Sequence, residues 1–181
     1  MAVVTLTTEE KKFLHELVIT TITDKLDGKE IKQQAFFSQT LEKDYGVFVT
    51  LKVNGNLRGC IGYVEAIKPL QEAVTDMALS AAFKDPRFTP LSKRELDGLE
   101  VEISVMSPLE EIQSPDKIVI GTHGLVIEKG YNRGLLLPQV ATEYNWDKDT
   151  FLAHTCLKAG LPKDAWRDKE TKLLVFSANV F

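Results

Sequence analysis

The residue types with the most pointed chemistry sit in one six-residue stretch, Leu57-Arg58-Gly59-Cys60-Ile61-Gly62. Cys60 is one of two cysteines in the chain. A thiolate is the reactive form of cysteine, and a neighbouring arginine favours it. Arg58 stands two residues upstream, and its planar fork of donors suits a carboxylate or a phosphate. Gly59 and Gly62 carry no Cβ, so a ligand or another chain segment can approach the backbone closely here. The pattern fits a nucleophile, a redox thiol or a ligand of some bound species. It equally fits a small residue buried in a sheet, since free cysteine is among the most buried residue types.

A second set of candidates lies downstream. His123 stands in Gly121-Thr122-His123-Gly124, which reads as a turn. Imidazole is the side chain suited to general base work near neutral pH. Cys60 and His123 are therefore the candidate catalytic residues, since a thiol beside an imidazole is an activated nucleophile. The alternative for His123 is a hydrogen bond to its own loop. Gln139 and Glu143 are four apart and share one helix face. They offer an amide and a carboxylate to a ligand, or a solvated face, or a partner for Arg58 or Arg87. Asp85 and Arg87 flank Pro86, either as ligand contacts or as an ion pair that pins the loop. Arg58, Gly59, Arg87, Gln139 and Glu143 are the candidate ligand-binding residues.

No metal or cofactor is expected. His15, His123, His154, Cys60 and Cys156 have no zinc-ligand spacing. The chain has no Walker loop, dinucleotide fingerprint, iron–sulfur cysteine cluster or Gly-x-Ser-x-Gly elbow. Trp146 and Trp166 read as packing residues.

The elements that must position these groups are legible in outline. Thr7 and Glu10 have capping-box spacing, and Phe13, Leu14, Leu17, Val18 and Ile22 recur at helical spacing. Asp27-Gly28 ends that helix. Glu30 to Lys43 reads more weakly as a second helix. Tyr45 to Val53 and Leu57 to Val64 are strands joined by Asn54-Gly55, a strong hairpin signal. Counting back from that turn places Arg58 opposite Leu51 and Cys60 opposite Val49, with Arg58 and Cys60 on one face. A slip of one residue would move Cys60 to the other face.

Pro69 begins a helix to about Lys84 with Leu70, Ala73, Val74, Met77, Ala78 and Ala81 inward. Pro86 and Pro90 keep the next segment out of the helix. A short helical turn over Ser92 to Leu96 precedes a strand at Val101, Ile103 and Val105. Further strands are expected at Ile118 to Ile120, Leu125 to Glu128, Leu135 to Leu137 and Leu173 to Phe176. Pro138 starts a helix through Tyr144, and Asp147 caps another that runs to Lys158 and stops at Gly160. Tight hairpins among interspersed helices predict an α+β fold with a mixed or antiparallel sheet and flanking helices.

Composition narrows the partners. The 181 residues are 44% hydrophobic and 27% charged with a net charge of −4, the make-up of an ordinary globular domain. No basic stripe is present, which argues against nucleic acid. No apolar run reaches the ~18–20 residues of a membrane span, and Met1 to Thr8 lacks the apolar core of a signal peptide. Two distant cysteines are no disulfide framework, so a cytoplasmic setting is expected.

Several blocks together resemble the AMMECR family. They are Leu57 to Gly62; Asp85-Pro86-Arg87-Phe88; Glu102 to Val105; His123-Gly124-Leu125; Gly134 to Ala141 with Glu143 and Trp146; and Phe151-Leu152, Cys156 and Lys158 to Leu161. They span most of residues 45–181. The resemblance implies a single AMMECR-type domain over residues 1–181, with two unequal subdomains and a cleft between them. Microbial members resemble protein A of the AmmeMemoRadiSam group, which implies a Memo-like protein and a radical-SAM protein as partners. It implies no particular reaction.

Three functional readings follow. The first is a cytoplasmic enzyme, or catalytic partner, acting on a small molecule in a cleft lined by Arg58, Cys60 and His123. The second is a non-catalytic adaptor that docks on a Memo-like or radical-SAM protein. The third and weakest is a nucleic-acid-associated factor. The enzyme reading expects an accessible Cys60 beside polar groups; the adaptor reading expects an apolar patch and a sealed, inert Cys60.

Overall fold

The computed structural model describes residues 4–31 and 36–181. They form two compact units, one of Val4–Met106 with Asn179–Phe181 and the other of Ser107–Ala178. Each is built of antiparallel strands with helices packed on them. The fold is α+β.

The first unit opens with α1 (Thr8–Leu26). Its capping box is formed: the Glu10 N–H donates to Thr7 Oγ1 at 3.1 Å, and the Thr7 N–H donates to Glu10 Oε2 at 2.7 Å. Leu14, Leu17, Val18 and Ile22 are buried, as the spacing requires. The second helix expected over Glu30 to Lys43 is not formed among the described residues, since residues 36–43 are loop and turns; residues 32–35 lie outside them. Ser38 explains the difference. Its hydroxyl accepts from the N–H groups of Thr40 and Leu41 and donates to the Glu10 carboxylate. Such side-chain to backbone bonds compete with helix.

The hairpin of β1 (Gly46–Val53) and β2 (Asn56–Tyr63) follows. Asn54 and Gly55 both have positive φ, 51° and 77°, the backbone of a type I′ turn. Val53 faces Asn56, and then the register slips. Lys52 faces Leu57 and Leu51 faces Gly59, leaving Arg58 as the extra residue of a β-bulge. Cys60 is therefore opposite Thr50, and Arg58 has no cross-strand partner. This corrects the count from the turn, which assumed an unbroken ladder.

The reason for the bulge is α2 (Leu70–Phe83), which packs on the hairpin. A Cβ on Gly59 would lie 2.1 Å from the Ala81 carbonyl oxygen. Only glycine fits there, and the bulge delivers Gly59 to that face while turning Arg58 out. Pro69 offers α2 no side-chain cap. The N–H groups of Leu70 and Gln71 instead donate to the carbonyls of Lys43 and Leu41, which satisfies donors that a helix start leaves open. The strand β3 (Leu99–Met106) pairs with β1, Ile103 opposite Val49. Phe181 exchanges backbone bonds with Ile103 on its other edge. The core gathers Leu14, Ile22, Leu41, Val49, Leu51, Leu70 and Ile103, all fully buried.

The second unit contains β4 (Glu110–Ile112), β5 (His123–Lys129), β6 (Asn132–Leu136), α3 (Pro138–Glu143), α4 (Lys148–Lys158) and all but the last two residues of β7 (Lys172–Val180). β7 is flanked by β4 and β5, and β6 pairs with β5. The strand expected at Ile118 to Ile120 is absent. A 3₁₀ turn at Pro115–Lys117 with its Ser114 cap comes first, and turns follow it. His123 is not in a turn but is the first residue of β5, opposite Ser177. β4, only three residues long, is too short to show alternation in sequence. Asp147 caps α4, accepting from the Thr150 N–H at 2.8 Å. The core here is Leu125, Ile127, Phe151, Leu152, Cys156 and Val175, with Trp146 and Trp166 packed against it. No helix among the described residues is long and apolar enough to cross a membrane.

Replacing Thr7 by Ala removes one half of the capping box. The variant should lose about 1 kcal/mol, read as a lower urea midpoint with unchanged helical content before the transition.

Candidate thiol site and its supports

Cys60 lies on β2, an edge strand of its sheet. The backbone groups of an edge strand that face away from its neighbour need other partners. For Cys60 they are side chains. Its N–H donates to Asp85 Oδ2 at 2.9 Å, and its carbonyl accepts from Arg87 Nη2 at 3.2 Å. Asp85 and Arg87 thus close the strand edge as an extra strand would. Asp85 also accepts from the Arg87 N–H at 3.1 Å, from Nε at 2.9 Å and from Nη2 at 2.7 Å. The Asp85 side chain is only 2% exposed. The Arg87 guanidinium holds its carboxyl well below the usual carboxylate range, although burial opposes this.

Arg58 is committed as well. Its Nε donates to Glu95 Oε1 at 2.6 Å, and its Nη2 lies 3.4 Å from Glu95 Oε2. Glu95 also accepts from the N–H and hydroxyl of Ser92, both at 2.8 Å. Arg58 first, and the Ser92 N–H second, bring the Glu95 carboxyl down to about 2. Nη1 of Arg58 is buried without a hydrogen-bond partner. Phe88 lies between the two arginines, with guanidinium carbons 5.8 and 5.5 Å from its ring centroid, within cation–π range.

The thiol itself accepts from Thr50 Oγ1 at 3.2 Å, and the residue is half-buried. Cys156, by contrast, is fully buried in α4, and burial pushes its thiol up. Arg58, the arginine expected to favour the thiolate, is engaged by Glu95, and Arg87 is engaged by Asp85. Gly59 and Gly62 give their room to the protein rather than to a ligand: Ala81 fills it at Gly59, and Phe48 with the Val47 carbonyl fills it at Gly62.

The structure brings together Arg58, Gly59, Cys60 and Arg87 in the first unit. The other candidates belong to the second. Nδ1 of His123 accepts from the Val119 N–H at 3.2 Å, so Nε2 is the proton-bearing nitrogen. Gln139 is half-buried with its Oε1 unpartnered, and Glu143, last residue of α3, is exposed. Arg58 and Arg87 take Glu95 and Asp85 as partners, not Glu143. Thr50, Phe88 and Glu95 escaped the sequence reading. The Ser92 and Glu95 capping spacing was the one signal present for Glu95.

An α+β protein of two units with a clamped, half-buried cysteine on a sheet edge is the class this geometry defines. The AMMECR1 family model matches residues 15–181. A protein of Aquifex aeolicus is 51% identical over 162 residues, covering 86% of this chain and 83% of its own. A protein of Methanothermobacter thermautotrophicus is 45% identical, covering 97% and 95%. The crystal structure of uncharacterized protein PH0010 from Pyrococcus horikoshii superposes with a TM-score of 0.85 at 45% identity, covering 93% of this chain and 88% of that one. The chain belongs to the AMMECR1 family.

Asp85→Asn keeps the size but turns an acceptor oxygen into a donor facing Cys60 N–H or Arg87. It should cost about 2 kcal/mol in urea unfolding. Glu95 gives a pH dependence. Its folded-state carboxyl titrates below the ordinary 4.5, at about 2. Its stabilisation is therefore complete above about pH 4.5 and lost as pH falls towards 2. The stability gap between the parent and Glu95→Gln should be wide near neutrality and narrow in that acid window, measured by urea titrations across pH.

Proposed function

We propose that this AMMECR1-family chain is a cytoplasmic enzyme, or catalytic partner, that handles a small molecule with the Cys60 thiol as its reactive group. One observation carries this reading. Cys60 is clamped through both backbone polar groups while the residue stays half-buried rather than sealed in the core. Reactive groups work best when held rigidly by a supporting shell. Asp85, Arg87, Glu95 and Arg58 supply that shell as positioning residues, and Thr50 orients the sulfur. The adaptor reading would have Cys60 inert and enclosed, as Cys156 is.

The test is alkylation of the folded protein with iodoacetamide, read peptide by peptide. Cys60 should label in the absence of denaturant while Cys156 labels only after unfolding. The Arg87→Ala variant should alter the Cys60 labelling rate by several-fold, because the strand edge is then released. Absence of labelling at both cysteines in the folded protein would overturn the reading.

A further inference from the structure

The second unit holds a pocket that uses none of the thiol site. Its volume is about 190 Å³, and Glu110, Ile112, Lys117, His123 and Val175 line it. That is the space of about six waters, suited to a molecule of a few heavy atoms.

The strand register explains its make-up. Residues opposite one another on antiparallel strands share a face. Glu110 is opposite Val175 and Leu125 is opposite Val175 from the other side, while Ile112 and Ile127 flank Leu173. His123 precedes Leu125 by two and so continues the same face. That face is the apolar core of the unit. The pocket is where the core face reaches its rim. Ile112 and Val175 are buried and form an apolar floor. Glu110, Lys117 and His123 supply the polar groups. An apolar floor with a few convergent polar groups is the usual make-up of a small-molecule site.

The polar groups are uncommitted and of complementary kinds. Among the described residues, neither the Lys117 ammonium nor the Glu110 carboxylate has an ion-pair partner, whereas the nearby Asp116 is held by Lys148 at 2.9 Å. His123 gives its Nδ1 lone pair to the Val119 N–H, which leaves Nε2–H as a donor. The pocket thus presents two donors, one of them cationic, one anionic acceptor, and aliphatic carbon.

We propose that this pocket binds a small zwitterion with a short aliphatic group, an aliphatic α-amino acid. Its carboxylate meets Lys117 and His123 Nε2–H, its ammonium meets Glu110, and its alkyl group rests on Ile112 and Val175. His123 serves here as a hydrogen-bond donor rather than as a base.

Isothermal titration calorimetry of the full chain tests this with L-valine, isobutyrate and isobutylamine. L-valine should give saturable binding, at least tenfold tighter than isobutyrate, which lacks the ammonium, or isobutylamine, which lacks the carboxylate. Lys117→Gln and Glu110→Gln should each weaken L-valine at least tenfold. Both side chains are exposed, so neither change disturbs the core. Cys60→Ser should leave L-valine binding unchanged. No saturable binding of L-valine, equal binding of isobutyrate, or full binding by both pocket variants would overturn the assignment.

Discussion

The carboxylate of Asp85 holds the first unit's chemistry together. It is nearly fully buried, yet it accepts bonds from the Cys60 N–H and from three donors of Arg87. A buried charge is tolerable only when it is paired and hydrogen-bonded, and here every bond also fixes a neighbour. The loop after α2 is pinned to β2, the exposed edge of β2 is closed, and the cysteine backbone is fixed from both sides.

The bulge at Arg58 is the second half of the same arrangement. The Ala81 carbonyl leaves no room for a side chain at Gly59, so the strand must present glycine to the helix at that point. One extra residue does this and sends the arginine to Glu95 and Phe88. The two arginines are then neutralised locally, and the ring of Phe88 lies against both. The six-residue stretch around Cys60 is thus a packing solution as much as a chemical one. Its glycines bring helix and strand together, and its arginine ties the hairpin to the segment before β3.

The second unit places its polar groups differently. Where the Asp85 cluster is saturated with internal partners, Glu110, Lys117 and His123 stand at the end of an apolar sheet face with donors and an acceptor to spare. Saturated clusters hold a fold in one shape, whereas open ones are available to a ligand. The contrast separates a cluster whose charges are met internally from one whose charged groups have no internal ion-pair partner among the described residues.

Much of the architecture is local and so was legible in the chain. The Thr7 and Glu10 spacing, the Asn54-Gly55 turn, the Asp147 cap and the apolar periods of α1, α2 and β3 each involve residues a few positions apart. The Glu30 to Lys43 segment misled because Ser38 turns it locally and a residue 28 positions away, Glu10, holds the serine. The same holds at the site. Sequence singled out Arg58, Cys60, Asp85 and Arg87 by type. The Asp85 and Arg87 pair is two positions apart and so was within reach of the sequence, but the partners of Cys60 and Arg58 were settled by contacts across 10 and 37 positions, with Thr50 and Glu95. A bulge leaves no mark in the alternation that would predict it, because its cause, the Ala81 carbonyl, lies on another element. What the chain alone determined was which residues could do chemistry. Which of them are held, and which are free, was decided by tertiary packing, since only there do a side chain and its counter-charge meet.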